Sequence, residues 1–195
     1  IAALEPGWIQ EMASHAQRPS VGAVGAKLLY GDGTVQHAGV VVGMNGWADH
    51  VCAHLPEYGG GYQCNHLINT VRNVSAVTGA CMMVEREKFE KAGGFEENFV
   101  LCGSDVELCL RLGARGWRTV YTPYARLQHL ESATRGDSPI PRADFLHSLQ
   151  AYQACLSGGD PFYSLNLDYA SVTPRVTSKP QPPSALNPML NRRQS

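Results

Sequence analysis

The chain has 195 residues, a hydrophobic content of 44%, a charged content of 17% and a formal net charge of −1. This length and composition are typical of a globular protein with one sizeable core. A net charge near zero argues against a general electrostatic attraction to nucleic acid or to an anionic membrane, so we expect no nucleic-acid partner. The sequence also has no apolar run approaching the roughly 20 residues that a membrane-spanning helix needs.

The first part of the chain predicts a helix followed by a β-hairpin. Apolar residues recur at helical spacing across residues 5–18. Residues 21–30 are an apolar run that predicts a buried strand, and the Gly-Asp-Gly sequence at 31–33 predicts a turn. Residues 34–42 predict a second strand, which would pair with the first.

The middle of the chain combines a long polar segment with an apolar run. Residues 43–70 are rich in Gly, Asn and His and predict an irregular segment, either a functional loop or a surface insertion. Residues 74–84 are apolar with several β-branched side chains and predict one central strand. Gly79 inside this run indicates close approach by a backbone or a ligand. Residues 86–92 then predict a short helix.

The last part predicts two helices and two strands before a polar tail. A helix starts at Ser104, whose hydroxyl is suited to cap its first turn. Residues 117–121 and 125–130 predict strands, and residues 142–155 have helical spacing. Residues 171–195 are rich in Pro, Ser, Asn and Gln and predict a tail that is flexible or draped over the surface.

The alternation of strands and helices predicts an α/β layered fold. In such folds, ligand sites lie at the carboxyl ends of the strands. Asp105 is a candidate catalytic residue, because the positive end of a helix dipole favours an ionised carboxylate and such a group can act as a general base. The alternative is a first-turn acid with no further role, and the segment by itself favours that alternative.

Several side chains in the middle segment are potential metal ligands. His50, Cys52, His54, Cys64 and His66 are close together in sequence, and four such groups would suit zinc. The Cys-x-His spacing is not that of a standard structural zinc site, so zinc is the weaker hypothesis. The chain's six cysteines are scattered, and we expect them to be reduced.

Three blocks of sequence, in a fixed order, resemble the inverting family-2 glycosyltransferases. The resemblance is greatest to the bacterial rhamnosyltransferase-like members that build surface polysaccharide. Residues 160–167 are similar to the segment that closes such domains, so that the resemblance covers about residues 4–170. The three blocks are residues 5–9 with 21–39, residues 78–84 with 93–99, and residues 103–111 with 129–136.

The resemblance implies a GT-A fold and an enzyme that transfers a sugar from a nucleotide-sugar donor, with inversion. The acceptor would be a hydroxyl of a glycan or of a lipid-linked saccharide. A divalent metal, Mn²⁺ or Mg²⁺, would hold the donor diphosphate. Asp105 matches the catalytic base, and His129 matches a histidine that reaches the metal or the diphosphate. The alternative for His129 is a histidine at a strand end, bonded to a backbone carbonyl.

The resemblance assigns roles to four further residues. Arg135 would clamp the diphosphate, or else be a solvated loop residue. Thr78 and Gly79 match a strand end that lines the acceptor or donor-sugar pocket, with core packing as the alternative. Ser104 stands where the family usually has glutamate, which leaves the base in place and alters acceptor contact or the tuning of the base.

The chain also lacks a part that the family has. In these enzymes a nucleotide-binding half with an Asp-x-Asp-like acidic motif precedes the region seen here. No acidic pair occurs before Glu5, and Asp32 and Asp49 are isolated. We therefore expect residues 1–170 to be the acceptor-side part of a glycosyltransferase domain, without the N-terminal nucleotide-binding strands.

A different class of function is also open at this point. A non-catalytic remnant that binds a glycan or a partner protein would have a similar sequence. Loss of the donor half would expose strand edges, which favour pairing with another chain and hence a homo-oligomer. For either function we expect a cytoplasmic protein, working in solution or at the inner face of the membrane.

Overall fold

The computed structural model describes residues 1–59, 62–130 and 140–187, without the side chains of residues 62 and 63. It is a mixed α/β structure, as predicted. The strands are β1 (Ala2–Ala3), β2 (Val21–Leu29), β3 (Val35–His37), β4 (Val40–Val42), β5 (Ala48–His50), β6 (Arg72–Val74), β7 (Met82–Val84) and β8 (Arg118–Gln128). The helices are α1 (Trp8–Ala16), α2 (Tyr62–Asn69), α3 (Arg86–Ala92), α4 (Ser104–Ala114) and α5 (Arg142–Gly158).

Two long parallel strands, β2 and β8, form the centre of the main sheet. Their register runs from Val21 beside Arg118 to Leu29 beside Gln128. Short antiparallel strands flank them, with β3 and β7 on the outer side of β2 and β1 and β6 on the outer side of β8. The carboxyl ends of β2 and β8 therefore meet at one edge of the sheet, where the His129 N–H donates to the Leu29 carbonyl at 2.9 Å.

Helices cover both faces of this sheet. Every residue of β2 is buried, which explains its continuous apolar run. Because side chains alternate along a strand, Val24 packs in the cluster that contains Met12 of α1, whereas Ala23 packs in the cluster that contains Leu108 of α4. Helices α1, α3, α4 and α5 confirm the predicted helical segments.

The prediction of one central strand over residues 74–84 is wrong. β6 pairs with β8, and β7 pairs with β2, so residues 75–81 cross over the sheet between them. The crossing is tight, since a Cβ added at Gly25 would lie 2.4 Å from the Cβ of Val77. The apolar run thus reflects a crossing segment buried on the sheet, and it leads directly into Thr78 and Gly79.

The region from residue 34 to residue 70 also differs from its prediction. The hairpin of β2 with β3 is confirmed, but Gly39 has a φ of +97°, and the chain turns there so that β4 pairs with β5 instead of extending β3. The segment predicted as irregular contains β5 and α2. The two strands predicted over residues 117–130 form the single strand β8, with a register shift between Thr122 and Arg126.

Residues 171–187 pack against the β4–β5 ribbon. The Val172 carbonyl accepts from the Cys52 N–H at 2.7 Å, and the Asn187 side-chain amide donates to the Gly46 carbonyl. Pro183 is buried beside Gly43. Across the described ranges, none of the helices combines the length and the apolar character needed to cross a membrane.

Candidate active site

A cleft of about 650 Å³ brings together the predicted site residues that the structure describes. Thr78 and Gly79 come from the crossing segment, Ser104 and Asp105 from the start of α4, and His129 from the end of β8. These residues come from three separated blocks of sequence. Arg135, the remaining predicted contact, lies outside the described residues.

The Asp105 carboxylate is fixed against the crossing segment. Its Oδ2 accepts the Gly79 N–H at 2.7 Å, and its Oδ1 accepts the Val106 N–H at 2.8 Å. A Cβ at Gly79 would lie 3.3 Å from the Asp105 Cβ, so glycine permits this close approach. Each carboxylate oxygen has a further lone pair, which leaves Asp105 able to accept a proton from a hydroxyl in the cleft.

The N-cap of α4 lies one residue earlier than expected. The N-cap is Gly103, with a φ of +106°, and its carbonyl accepts the Glu107 N–H at 2.9 Å. A Cβ at Gly103 would lie 2.8 Å from Cε1 of Phe99. Ser104 as cap is therefore wrong, because the left-handed glycine makes the turn and Ser104 is already helical. Ser104 instead lines the cleft beside Asp105.

The loop before α4 is held by a buried carboxylate of α5. Asp144 has 0% exposure and accepts the N–H groups of Val100, Leu101 and Cys102 at 2.8, 2.8 and 3.0 Å. Burial raises the pKa of Asp144, but the three backbone donors together lower it by a larger amount. The net pKa therefore lies below the usual value. We refer to this arrangement of Asp144 and residues 100–102 as the α5 clasp.

Two more residues of α5 extend the clasp toward the turn at Gly103. Ser148 and Tyr152 follow Asp144 at intervals of four residues, so they lie on the same helix face. The Ser148 Oγ would lie 3.0 Å from a Cβ at Gly103, and the Tyr152 hydroxyl donates to the Gly103 carbonyl at 3.4 Å. Sequence reasoning missed these residues, whose one signal was the four-residue spacing of Asp144, Ser148 and Tyr152.

His129 is oriented by a buried amide. Its Nδ1 lies 2.8 Å from Oε1 of Gln36, a side chain that is 4% exposed, and its backbone is bonded to Leu29. With the amide oxygen as acceptor, Nδ1 carries the proton and Nε2 carries the lone pair. The Nδ1 atom of the ring is therefore bonded to a side chain. Sequence reasoning missed Gln36.

The structure does not support the zinc hypothesis. Cys52 and Cys64 are neighbours in the hydrophobic core, where burial raises the pKa of Cys52 to about 12. His66 is exposed on α2, and the His54 ring stacks on Tyr30. Across residues 1–59, 62–130 and 140–187, no three or more His, Cys, Asp or Glu side chains are arranged to hold a metal ion.

The described residues of the cleft also lack a complete set of ligands for a divalent metal. His129 offers a single imidazole there, and the described residues provide no second and third ligand beside it. The described part of the chain does not by itself fit a complete metal site.

A second wall of the cleft is formed by Tyr30 and the segment around β5. Trp47, Asp49 and His54 line it together with Tyr30. The Tyr30 and His54 rings are stacked, with centroids 4.6 Å apart and an angle of 5° between planes. The Asp49 Oδ2 accepts the Asn45 side-chain amide at 2.7 Å.

Comparison with known proteins places this sequence in a family. Residues 2–140 match the family described as Glycosyltransferase like family 2, so that α5 lies beyond the matched region. The chain is 52% identical, over 84% of its length, to the O-antigen biosynthesis protein RfbC of Myxococcus xanthus, of which it covers 13%. It is 30% identical, over 69% of its length, to the N-acetylglucosaminyl-diphospho-decaprenol L-rhamnosyltransferase of Mycobacterium tuberculosis, of which it covers 46%.

The chain thus spans less than half the length of these curated relatives. The match of residues 2–140 nevertheless covers well over half of the chain and includes every predicted site residue. The resemblance found in the sequence is confirmed, and the described sheet with its flanking helices is consistent with a partial GT-A-like domain. The chain belongs to glycosyltransferase-like family 2.

Proposed function

We propose that this chain forms the acceptor side of a glycosyltransferase domain and carries its catalytic base. The reaction moves a sugar from a nucleotide-sugar donor to a hydroxyl of a glycan or a lipid-linked saccharide, with inversion. The observation that carries the proposal is the Asp105 carboxylate, fixed by the Gly79 N–H at 2.7 Å in a cleft that also contains Thr78, Ser104 and His129. Family membership and the names of the relatives support sugar transfer in polysaccharide biosynthesis.

The proposed chemistry needs a base because a sugar hydroxyl is a poor nucleophile at neutral pH. Asp105 accepts the hydroxyl proton while the oxygen attacks the anomeric carbon of the donor sugar. A new C–O bond forms, the bond from that carbon to the diphosphate oxygen breaks, and the nucleoside diphosphate leaves with the electron pair. Attack on the face opposite the leaving group inverts the anomeric centre.

His129 and Arg135 belong to the donor side of this proposal. A divalent metal, when bound, would offset the charge of the leaving diphosphate. Of the described residues, His129 is the one we assign to that side, since the bond from Nδ1 to Gln36 directs the ring and leaves Nε2 with the lone pair. We assign contacts with sugar hydroxyls to Ser104 and Thr78, which line the same cleft.

We further propose that the enzyme works in the cytoplasm, at the inner face of the membrane where its acceptor is lipid-linked. The name of the Mycobacterium tuberculosis relative denotes a saccharide on a diphospho-decaprenol carrier. The resemblance of residues 160–167 to a domain-closing segment supports residues 1–170 as the sugar-transfer unit.

The test is Asp105→Asn in the full-length protein. Loss of the base should lower the rate of sugar transfer by about 10²–10⁴-fold, because asparagine cannot accept the proton. Donor binding should stay within about twofold, since the amide keeps the shape of the side chain. Asp32→Asn, in the exposed turn before β3, is the matched control and should transfer sugar at the wild-type rate.

Full transfer by Asp105→Asn would remove Asp105 as the base. A folded wild-type protein that binds a glycan, transfers no sugar and binds no nucleotide-sugar would favour the non-catalytic alternative.

A further inference from the structure

The turn that follows α3 is held by an arginine of α4. Arg111 donates to both carboxylate oxygens of Glu107, at 2.8 and 2.6 Å, so that its planar guanidinium is oriented on the surface of the helix. The same guanidinium donates to the carbonyls of Ala92 and Gly94, to the latter at 2.9 Å. These carbonyls lie at and just beyond the end of α3, where the backbone has no further helical partners. Arg111 therefore ties the end of α3 to α4.

This turn carries an exposed phenylalanine to the cleft. Gly93 and Gly94 have φ values of +90° and +73°, which other residues rarely adopt, and the pair turns the chain at the end of α3. The ring of Phe95 packs edge-to-face on Phe89, with centroids 5.3 Å apart, and Phe89 packs on the hydrophobic core. Phe95 is 48% exposed and lines the cleft that contains Asp105. The ring is thus supported from the protein side and open toward the cleft.

An aromatic ring in this place suits the apolar face of a sugar. A sugar ring has C–H groups on its faces and hydroxyls around its rim, so it packs on an aromatic ring while its hydroxyls bind polar groups. Both kinds of contact are available, since the Phe95 ring, the Ser104 hydroxyl and the Asp105 carboxylate line the same cleft. Arg111 joins the turn of Phe95 to the helix that carries Asp105. The ring therefore belongs to the side of the cleft to which we assign the acceptor.

We propose that Phe95 contacts the acceptor sugar and that Arg111 is the residue that positions Phe95. The ring packs on the C–H face of the sugar, while Asp105 accepts the proton of the reacting hydroxyl. Arg111 touches no substrate and acts through the turn at residues 93–94. The inference rests on the proposed function, because it assigns an acceptor contact in the same cleft.

The first measurement is saccharide binding by the full-length protein, independently of transfer. The probes are methyl glycosides of glucose, galactose, mannose, rhamnose and N-acetylglucosamine, titrated by saturation-transfer NMR. At least one should bind, and Phe95→Ala should weaken its binding about fivefold, the effect expected for one lost ring contact. Phe95→Tyr keeps the ring and should bind within about twofold of the wild type. Phe162→Ala is the matched control and should leave binding unchanged, since Phe162 is 47% exposed and lies away from the residues that line the cleft.

The second measurement separates positioning from general stabilisation. Arg111→Lys keeps the charge but loses the planar fork that binds a carboxylate and two carbonyls at once. It should weaken glycoside binding about fivefold in the wild type but less than twofold in Phe95→Ala, because the arginine acts through that ring. An arginine with only a structural role would weaken binding equally in both backgrounds. Arg115→Lys, at the exposed end of α4, is the control and should change neither value.

A second variant disturbs the same turn from the backbone. Gly94→Ala introduces a side chain at a φ of +73°, which strains the turn without removing any bond of Arg111. It should give the same pattern as Arg111→Lys, with a loss of binding that disappears in Phe95→Ala. This variant decides the question where Arg111→Lys does not fold.

Nucleotide-sugar probes identify the substrate that the ring contacts. UDP-glucose, UDP-N-acetylglucosamine and dTDP-rhamnose, titrated with Mg²⁺, carry a donor sugar as well as a diphosphate. Those that bind the wild type should bind Phe95→Ala with an affinity within about twofold. Weaker binding of these probes by Phe95→Ala would place the ring on the donor side and overturn the inference.

The results separate this inference from the proposed function. Glycoside binding untouched by Phe95→Ala, no binding of any glycoside, or equal effects of Arg111→Lys in both backgrounds would each overturn the inference. Sugar transfer that depends on Asp105 would still support the proposed function in those cases. Conversely, the expected binding pattern in a protein that transfers no sugar would support the sugar contact while the proposed function fails.

Discussion

The two walls of the cleft are built in different ways. The wall with Asp105 is held from behind by the α5 clasp, in which one carboxylate with 0% exposure accepts three backbone N–H groups. The wall with Asp49 and His54 has irregular, left-handed backbone and an exposed ring. The side chain to which we assign proton transfer is thus placed on the more tightly fixed wall, and the other wall is the more exposed one.

This difference has a structural reason. A general base must stay within hydrogen-bond distance of the reacting hydroxyl, and small displacements are costly to the rate. The clasp acts on residues 100–102, which precede the turn at Gly103, so it fixes where α4 begins. The predictions below measure how unequal the walls are.

The largest effect should come from removing the clasp. Asp144→Ala leaves three backbone N–H groups without their acceptor, and we expect the free energy of unfolding to fall by about 3 kcal/mol. Chemical denaturation measures the loss, and hydrogen exchange should rise at residues 100–102. Ser148→Ala removes a hydroxyl on the same helix face but keeps all three bonds, so its loss should stay below about 1 kcal/mol. Equal losses in the two variants would show that the clasp has no special role.

The next effect tests the crossing segment that holds Asp105 from the other side. Gly25→Ala would place a Cβ 2.4 Å from that of Val77, so the crossing backbone must move. Overpacking of this kind should lower the free energy of unfolding by about 2 kcal/mol. Gly113→Ala, in α4 where nothing lies within 4 Å of the added Cβ, is the control and should be neutral or slightly stabilising. A stable Gly25→Ala protein would mean that Val77 has room to shift.

The sequence predicted the parts of this site that depend on local pattern. The periodic apolar residues of the helices follow from one face packing on the sheet. The expected N-cap of α4 was wrong by one residue, because Gly103 and not Ser104 makes its turn. Asp105 and His129 became candidates through the order and spacing of blocks that resemble a family, not through their own segments, which favoured or allowed structural roles.

Long-range features were not predictable in this way. Asp144 looks like an ordinary acid in the first turn of a helix, and nothing near it in sequence shows that its partners lie 42–44 residues earlier. In sequence, residues 75–81 look like part of one strand. A segment packed on a sheet and a strand buried within it have the same apolar run, so the pattern cannot separate them. Gln36 sits in a β-strand pattern, and its bond to His129 spans 93 residues.

A smaller effect is the pH dependence of the clasp. The folded-state pKa of Asp144 lies below its unfolded value, so its contribution is complete above the unfolded pKa and is lost as the pH falls through the folded pKa. The stability difference between the wild type and Asp144→Asn should therefore be constant near neutral pH and shrink below about pH 4. Denaturation curves at stepped pH measure it. A difference that does not change with pH would mean that the ionised form is not what the clasp uses.

The smallest effect should be on the wall with Asp49 and His54. His54→Ala removes an exposed ring, and the loss of its stacking on Tyr30 should change the free energy of unfolding by about 0.5 kcal/mol. Asp144→Ala should have the larger effect, because displacement of residues 100–102 moves Asp105 as well. If His54→Ala destabilises the protein as much as Asp144→Ala, both walls contribute equally to stability. The contrast between a tightly fixed wall with Asp105 and a less fixed wall with His54 would then be wrong.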